Sequence, residues 1–417
     1  MKSMLVLLAM VVLFQVFAQP KPGDIFREYK WIPSMVEAEN GKFLRVGGRL
    51  DYKINEGHLS SKFHDDGYLE LHEYIDLDRA VKAEVLVEKI SSHDGTTGLA
   101  ISLNQNPFRS LPIPEDIPTP QASYMHHIYP TIEIPLNQLK NGYGNSFKLT
   151  VDSVHHWNWP QNLIHGVILR VYYPSDLLNK KSKFSLIGVS NSVGIEEVVT
   201  LGIDQVDRSI RKVDYMAWYE GVNWEGDGIY QQWHYHYLRG EMTHHIGTSK
   251  SYPYQVDWNT SWIPDQKEAI KIAAWVTDNT GLTYFTESIN DIMLDRSYNV
   301  ALCKPYDQPQ NWVTRAGEFE SKVDIDGKTN EIKAAKLLWT SWSPCYSNGI
   351  YINDVKVFDK EGPCYDYMAH EITLDDHSML KNGINIIKTG KEPLHDGQMV
   401  HGMEVQWPGI MLLLKYE

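Results

Sequence analysis

Four histidines stand close together in one stretch of the sequence, residues 231–247. Two aromatic runs flank the dipeptide Arg239-Gly240 in this stretch. A short dipeptide with glycine between two strand-like runs predicts a β-hairpin. Because side chains alternate between the two faces of a strand, the register of this hairpin decides which imidazoles share a face.

Either register of the hairpin places three imidazoles on one face. A two-residue turn groups His234, His236 and His245, whereas a three-residue turn groups His234, His236 and His244. Three nitrogen ligands with an open fourth position suit Zn or Cu, so the first trio is our candidate site for one divalent metal. A sugar-stacking aromatic surface and plain structural packing fit the same residues, and the sequence leaves these alternatives open.

Two further histidine pairs lie beside aromatic residues in the amino-terminal part of the chain. His126 and His127 follow a proline-rich loop, and the pair at 155–156 precedes Trp157 and Trp159. Aromatic ring faces stack on sugars and imidazoles bond to hydroxyl groups, so this pattern is typical of carbohydrate recognition. Structural histidine pairs are the alternative interpretation.

Residue types assign candidate roles to these positions. We predict proton transfer and charge neutralisation by His126, His127, Tyr235 and Arg239. We predict sugar binding by Trp157, Trp159 and Trp233. The sequence contains no GxSxG elbow, no phosphate-binding glycine loop and no HExxH motif. The acidic segment 224–228 offers oxygen ligands for calcium, but a turn of this composition needs no ion.

Short alternating strands must position these side chains, because runs punctuated by Gly, Asn, Asp and Pro recur and long helical periodicity is scarce. Four short segments of the amino-terminal third recur in the same order in the carboxyl-terminal third; one pair is Leu139–Gly142 and Leu380–Gly383. We therefore predict an all-β protein. Two related jelly-roll-like β-sandwich domains, 23–184 and 310–417, flank a third β-sandwich domain, 185–305.

The middle segment resembles a known module. Residues 274–281, Ala-Trp-Val-Thr-Asp-Asn-Thr-Gly, resemble a late strand and turn of secreted immunoglobulin-like modules, which implies an Ig-like fold for 185–305. The resulting order of domains resembles the exported multi-β-domain proteins of polysaccharide-degrading bacteria. Tandem jelly rolls also occur in peptide-amidating copper monooxygenases and peptide-N-glycanases, an analogy of fold alone.

Composition and charge exclude several classes of protein. The 417 residues are 42% hydrophobic and 22% charged, as in ordinary globular proteins. The net charge of −14 argues against a dedicated nucleic-acid binder. Residues 1–18 have the form of a cleavable signal peptide, with an apolar run too short to span a bilayer and no lipid-anchor cysteine near the cut. We expect a secreted or periplasmic protein without a membrane span.

The three cysteines leave one pairing open. Cys345 and Cys364 stand in similar Pro-Cys-Tyr contexts and are candidates for a disulfide, although the sequence does not determine connectivity. Cys303 would then be a buried structural thiol.

These patterns favour a secreted carbohydrate-active protein with a glycan as its partner; they do not indicate its oligomeric state. The preferred hypothesis is a lyase that acts by β-elimination on a uronic-acid-containing polysaccharide, marine polysaccharides included, or on its oligosaccharides. That chemistry needs only a base, an acid and a group that neutralises the carboxylate. The alternatives are a non-catalytic glycan-binding protein and a copper-dependent monooxygenase on tandem jelly rolls. Because the chain is acidic, a uronate substrate would require a locally basic or metal-lined cleft.

Overall fold

The structure, a computed structural model, describes residues 19–34, 41–46, 67–90, 98–113, 126–151, 162–178, 184–188, 197–204, 209–327, 329–391 and 402–417. The prediction of an all-β protein is confirmed, since helix in the described part is limited to short 3-10 turns. No described helix is long and apolar enough to cross a membrane. The predicted signal peptide 1–18, the histidine pair 155–156, Trp157 and Trp159 lie outside the described residues.

The amino-terminal sandwich consists of the first ten strands. They are β1 (Ile25–Trp31), β2 (Leu44–Val46), β3 (Leu69–Leu71), β4 (Lys82–Ile90), β5 (Ala100–Leu103), β6 (Arg109–Ser110), β7 (His127–Ile128), β8 (Thr131–Ile134), β9 (Asn145–Thr150) and β10 (Asn162–Tyr173). One sheet runs β1-β10-β4-β8, with β2 on β10 and β7 on β4, and the other runs β3-β9-β5-β6. Alternate residues of β4 and β10, among them Val85 and Leu169, enter the apolar core between the two sheets.

The middle sheets contain the next eleven strands. They are β11 (Leu186–Ile187), β12 (Val198–Ile203), β13 (Ile210–Glu220), β14 (Gln231–Trp233), β15 (His236–Leu238), β16 (Glu241–Thr243), β17 (Gly247–Ser249), β18 (Val256–Asn259), β19 (Ile270–Asp278), β20 (Thr283–Phe285) and β21 (Ile289–Ile292). The order β11-β12-β18 forms a small sheet that faces β13 and β19 across a second apolar core. Strands β15 and β16 form a separate hairpin.

The carboxyl-terminal sandwich contains the last nine strands. They are β22 (Asn299–Cys303), β23 (Phe319–Ile325), β24 (Ile332–Trp342), β25 (Ile350–Ile352), β26 (Val355–Phe358), β27 (Tyr367–Leu374), β28 (Gly383–Thr389), β29 (Glu404–Val405) and β30 (Met411–Tyr416). One sheet runs β22-β30-β24-β27 and the other β23-β28-β25-β26, around a third core. Cys345 and Cys364 form a disulfide, and Cys303 is a buried free thiol.

The two outer sandwiches share one strand order and one hydrogen-bond motif. The sheets β3-β9-β5-β6 and β23-β28-β25-β26 have their strands in the same order along the chain. At the start of β9, the Asn145 side chain accepts a hydrogen bond from Asn104 at 2.9 Å and bonds to both backbone groups of Lys140. Asn385 does the same with Asn353, at 2.8 Å, and with the backbone of Lys381. This agreement supports the duplication that the recurring segments suggest.

A single sheet joins the amino-terminal sandwich to the middle sheets. Strand β20 pairs with β1, Phe26 opposite Thr283, so the sheet continues from β13 and β19 through β20 into β1 and β10. The side chains of Leu282 and Tyr284 enter the core of the amino-terminal sandwich. The carboxyl-terminal sandwich contacts the opposite face of this sheet, where Trp342 and Tyr367 pack with Ile90 and Leu163. The hairpin segment packs on that outer face too, through Tyr235 and Tyr237, so all three parts meet there.

Candidate functional site

The histidine hairpin adopts the two-residue turn. His236 pairs with Thr243 and Leu238 with Glu241. Arg239 and Gly240 at the turn have φ angles of 51° and 72°, the left-handed conformation that this turn requires at both positions. A Cβ on residue 240 would lie 2.6 Å from Cδ1 of Ile32, so the end of that side chain would have to move aside.

The hairpin covers a buried set of rings, which we call the histidine–tyrosine cluster: His127, Tyr129, His165, His236 and Tyr367. The ring centroids of His127 and His236 are 4.3 Å apart, and those of His127 and Tyr367 are 4.7 Å apart. The Tyr367 hydroxyl lies 3.4 Å from Nε2 of His236. Residues from three parts of the chain thus converge in one interior site.

Local irregularities deliver these rings to the site. His127 is the first residue of β7, and Tyr367 is the first residue of β27. His165 occupies a β-bulge of β10, between Ile164 and Gly166, where the extra residue turns its side chain toward the junction.

Glu88 ties the hairpin turn to the cluster. Its carboxylate accepts hydrogen bonds from the backbone N–H groups of Arg239, at 2.8 Å, and Gly240, at 3.1 Å, and lies 3.4 Å from Nε2 of His127. A Cβ on Gly166 would lie 3.2 Å from this carboxylate, so glycine leaves it room. Burial raises the pKa of Glu88, but His127, His165 and the Arg239 N–H outweigh it and lower the pKa. Glu88 is therefore ionised at neutral pH.

Burial keeps the other groups of the cluster uncharged. It lowers the pKa of His236 well below its ordinary value, with His127 and His244 adding to the effect, and it lowers the pKa of His165 to about 3. It raises the pKa of Tyr129 and of Tyr367 far above the ordinary value of 10. At neutral pH these imidazoles are therefore unprotonated and these phenols keep their protons.

Two cations lie at one edge of the cluster. The guanidinium of Arg239 forms an ion pair with Asp366, the residue before Tyr367, and Nζ of Lys42 lies 3.0 Å from the same carboxylate. Their side chains are 29% and 33% exposed, so this edge remains within reach of an anionic group. The ionised Glu88 carboxylate also accepts the Arg239 N–H, so the two cations lie beside two carboxylates.

The loop 221–230 forms a second wall. Glu225 lies 3.3 Å from Nδ1 of His234, whose Nε2 lies 2.8 Å from the Tyr219 carbonyl oxygen. Burial alone would lower the pKa of His234, but the nearby Glu225 outweighs it and raises the pKa. A Cβ on Gly226 would lie 3.0 Å from the backbone oxygen of His127, which shows how closely the loop contacts the cluster. The side-chain amide of Gln406 is buried without a hydrogen bond to any described residue.

An open cavity of about 230 Å³ adjoins this wall. The hairpin segment contributes three imidazoles, His234, His244 and His245, and the middle sheets contribute Tyr219, Asp257 and Trp258. His244 stacks on Trp224, with ring centroids 4.6 Å apart, and its centroid is 5.4 Å from that of His236. One imidazole therefore separates the cavity from the cluster.

The structure gives different partners to the three imidazoles of the candidate metal site. His234 contacts Glu225, His236 contacts Tyr367, and Nε2 of His245 lies 2.7 Å from the Thr248 hydroxyl. Within the described ranges no three His, Cys, Asp or Glu side chains form a metal-binding group. The three imidazoles do not share one face, because the hairpin strand ends at Thr243 and His244 has a left-handed φ of 54°. This backbone conformation turns His245 away from His236.

The other predicted site residues are partly brought together. His127 and Arg239 meet at Glu88. Tyr235 lies in a separate aromatic group, 5.2 Å from the Trp275 ring, and Trp233 contacts Phe285. His126 is fully buried beside His127.

Several residues of the site have weak signals in the sequence. Glu88 is a carboxylate at the end of an apolar strand, and Glu225 belongs to the acidic segment 224–228. His165 lies in a segment that repeats near the carboxyl terminus. Tyr367 follows Cys364 closely, but 24 tyrosines make one phenol unremarkable. Among these residues, Glu88 has the clearest signal, because a charged residue within an apolar strand is unusual.

Comparisons with known proteins do not identify a family. No family model and no curated protein match the chain. The solved structures that resemble it weakly include BuGH86 in complex with neoagarooctaose, at a TM-score of 0.24 and 12% identity, covering 56% of this chain and 33% of that one. A β-porphyranase of glycoside hydrolase family 86 from the human gut bacterium Bacteroides plebeius has a TM-score of 0.22 and 13% identity, covering 57% and 37%. A structure of carbohydrate-binding modules of the β-sandwich superfamily has a TM-score of 0.15 and 11% identity, covering 57% and 98%.

The chain spans about a third of the length of the two enzymes. The weak neighbours thus include carbohydrate-active enzymes and carbohydrate-binding modules. At these TM-scores the likeness assigns no activity to this chain.

Proposed function

We propose that this protein is an exported carbohydrate-active enzyme that cleaves a uronic-acid-containing glycan by β-elimination at the histidine–tyrosine cluster. One contact carries the proposal: the 3.4 Å approach of the Tyr367 hydroxyl to Nε2 of His236, inside a site that also contains Arg239. A neutral base, a protonated phenol and a cation at one edge are the three groups that the elimination needs.

The proposed reaction moves one proton from the sugar and another to the leaving group. Neutral His236 removes the proton from C5 of the uronate. The electron pair of that C–H bond forms the C4–C5 double bond, the C4–O bond breaks, and the Tyr367 hydroxyl gives its proton to the departing glycosidic oxygen. Tyr367 then regains a proton from His236, which restores both groups without any further reactant.

The cationic edge would supply the remaining requirement. A uronate carboxylate makes its C5 proton acidic only when its negative charge is offset. Arg239 and Lys42 share the single carboxylate of Asp366, and both are partly exposed. They would be the cations that a uronate meets at this edge of a chain of net charge −14.

Buried polar groups support a binding site over simple packing. A polar side chain that is buried without a hydrogen bond costs about 1–3 kcal/mol, so such groups are rare in native structures. The amide of Gln406 is in this condition. Sugar hydroxyls both donate and accept, and would satisfy it. The disulfide Cys345–Cys364 fits export, because such bonds persist in oxidising compartments.

The test is an ultraviolet assay with a panel of uronate glycans, because the unsaturated product absorbs and the substrate does not. We expect the parent protein to produce this absorbance with at least one glycan. Tyr367→Phe and His236→Gln should each lower kcat by about 10²–10⁴-fold. Tyr252→Phe is the matched control, because it removes a hydroxyl from a residue that is 77% exposed. Its kcat should equal that of the parent protein.

Three other outcomes would contradict the proposal in different ways. New reducing ends without ultraviolet absorbance would mean hydrolysis. Tight glycan binding without turnover would mean a non-catalytic binding protein. A loss of activity on chelation, restored by adding Cu or Zn, would mean that the reaction depends on a metal ion at the histidine hairpin.

A further inference from the structure

The open cavity beside the cluster differs from the cationic edge in its charges. The described residues that line it include no Lys or Arg, and its one carboxylate side chain is that of Asp257. Two of its three imidazoles are those of His244 and His245. The third imidazole, His234, is already paired with Glu225. An anionic group in this cavity would meet Asp257 without a free cation.

The lining of the cavity suits a neutral sugar ring. Tyr219 and Trp258 present aromatic surface, and imidazole nitrogens and the Asp257 carboxylate can bond to hydroxyl groups. The volume of about 230 Å³ is smaller than the sites that hold drug-sized ligands, and accommodates a single ring.

The position of the cavity relates it to the reaction. His244 lines the cavity and lies 5.4 Å, between ring centroids, from His236. The Tyr367 hydroxyl also contacts His236. A sugar in the cavity would therefore lie one imidazole, that of His244, away from His236.

We propose that this cavity is the subsite for the sugar adjoining the reacting uronate, and that it accepts a neutral ring and rejects an acidic one. The inference rests on the proposed function and narrows its substrate class. The substrate is a heteropolysaccharide in which uronate alternates with a neutral sugar, rather than a polymer of uronate alone. Arg239 and Lys42 receive the uronate, and the neighbourhood of Asp257 receives the neutral unit.

The test measures binding separately from turnover. In the Tyr367→Phe background, isothermal titration calorimetry compares an alternating uronate–neutral tetrasaccharide with an all-uronate tetrasaccharide. We expect a preference of about tenfold or more for the alternating one, since like charges brought together disfavour binding. Adding Asp257→Asn removes the repulsion and should bring the two affinities within about threefold.

Asp257→Asn is a mild change, because the Asn side-chain oxygen can still accept the 2.6 Å hydrogen bond from the Thr200 hydroxyl. An unchanged melting temperature would verify that the variant folds. Asp295→Asn, at an exposed position of the same part of the chain, is the control and should leave the tenfold preference intact.

The outcomes separate the two proposals. Equal affinities in the Tyr367→Phe background, or a preference that survives Asp257→Asn, would overturn the subsite even if the parent protein makes the unsaturated product. A preference that Asp257→Asn removes, together with a parent protein that makes no such product, would keep the subsite and overturn the elimination. Binding of neither tetrasaccharide would overturn both.

Discussion

Glu28 shows at the residue scale how a buried charge supports the junction. Its carboxylate accepts hydrogen bonds from Arg170, at 2.8 Å, and from the Tyr237 hydroxyl, at 2.7 Å. Tyr237 belongs to the hairpin, whereas Glu28 and Arg170 belong to the amino-terminal sandwich. The carboxylate thus links the hairpin to β1 and β10. Burial raises the pKa of Glu28, but Lys30 and Arg170 outweigh it and bring the pKa to about 2.

This pKa predicts a pH dependence of stability. Because the folded-state pKa lies below the ordinary value of 4.5, the contribution of Glu28 is fully present above pH 4.5 and is lost as the pH falls toward 2. We expect Glu28→Gln to reduce the free energy of unfolding by about 3 kcal/mol at pH 6, and the difference from the parent to shrink steadily below pH 4.5. Urea denaturation at pH 6, 5, 4 and 3 measures it. A difference that stays constant over this range would contradict the assignment.

Some site residues were predictable from neighbours in the sequence and others were not. The turn at Arg239-Gly240 follows from local chemistry, whereas the register of His236 opposite Thr243 is one of the two registers that the sequence left open. Tyr367 lies 131 residues from its partner His236, so no local pattern encodes their contact. Glu88 acquires its role only when the hairpin packs on β4.

At the scale of elements, the turn of the hairpin combines a left-handed backbone with a close neighbour. Gly240 has a left-handed backbone, donates its N–H to Glu88, and a Cβ there would have to displace the end of the Ile32 side chain. Gly281, in the turn between β19 and β20, has a similar φ of 83°, but a Cβ there would meet nothing within 4 Å. Substituting each glycine in turn therefore distinguishes the cost of backbone strain from the cost of a steric contact.

We expect Gly281→Ala to cost about 1 kcal/mol, the strain of a left-handed alanine alone. Gly240→Ala should cost about 2 kcal/mol more, because the new methyl group displaces Ile32 and shifts the turn away from Glu88. Thermal or urea denaturation of both variants gives the comparison, and the ultraviolet assay should show reduced activity for Gly240→Ala only. Equal losses of stability would mean that the hairpin moves freely away from Ile32.

The strands themselves were predictable where alternation is regular, as in β4 and β9, and the repeated segments predicted related outer sandwiches. The paired asparagines, Asn145 with Asn104 and Asn385 with Asn353, give that repeat a physical basis, because each pair holds the turn that precedes its strand. The pairing of β20 with β1 could not be predicted, since neither strand contains a signal for a partner so far along the chain.

At the scale of the whole molecule, the disulfide lies close to the site. Cys364 precedes Asp366 and Tyr367 by two and three residues, and Ser343 and Tyr365 connect the same segment to the end of β24. The carboxyl-terminal sandwich thus presents its two site residues from a covalently closed loop.

Replacing both cysteines by alanine should reduce the free energy of unfolding by about 3 kcal/mol, from a loop of this length. Activity should fall more than the folded fraction does, because Asp366 and Tyr367 lose their anchor. The measurements are urea denaturation and the ultraviolet assay at a temperature where the variant remains folded. Cys303→Ala is the control, since it removes a buried thiol that forms no disulfide. Full activity in the double variant would show that β27 alone positions Tyr367.

The pairing of β20 with β1 also limits how the protein can be divided. A fragment that ended before β11 would lack Leu282 and Tyr284 from its core and would expose the edge of β1 along Ile25 and Phe26. Unprotected edges recruit other strands, so such a fragment would self-associate instead of behaving as an independent module. The first 178 residues are therefore not a unit that could be shuffled intact into another protein.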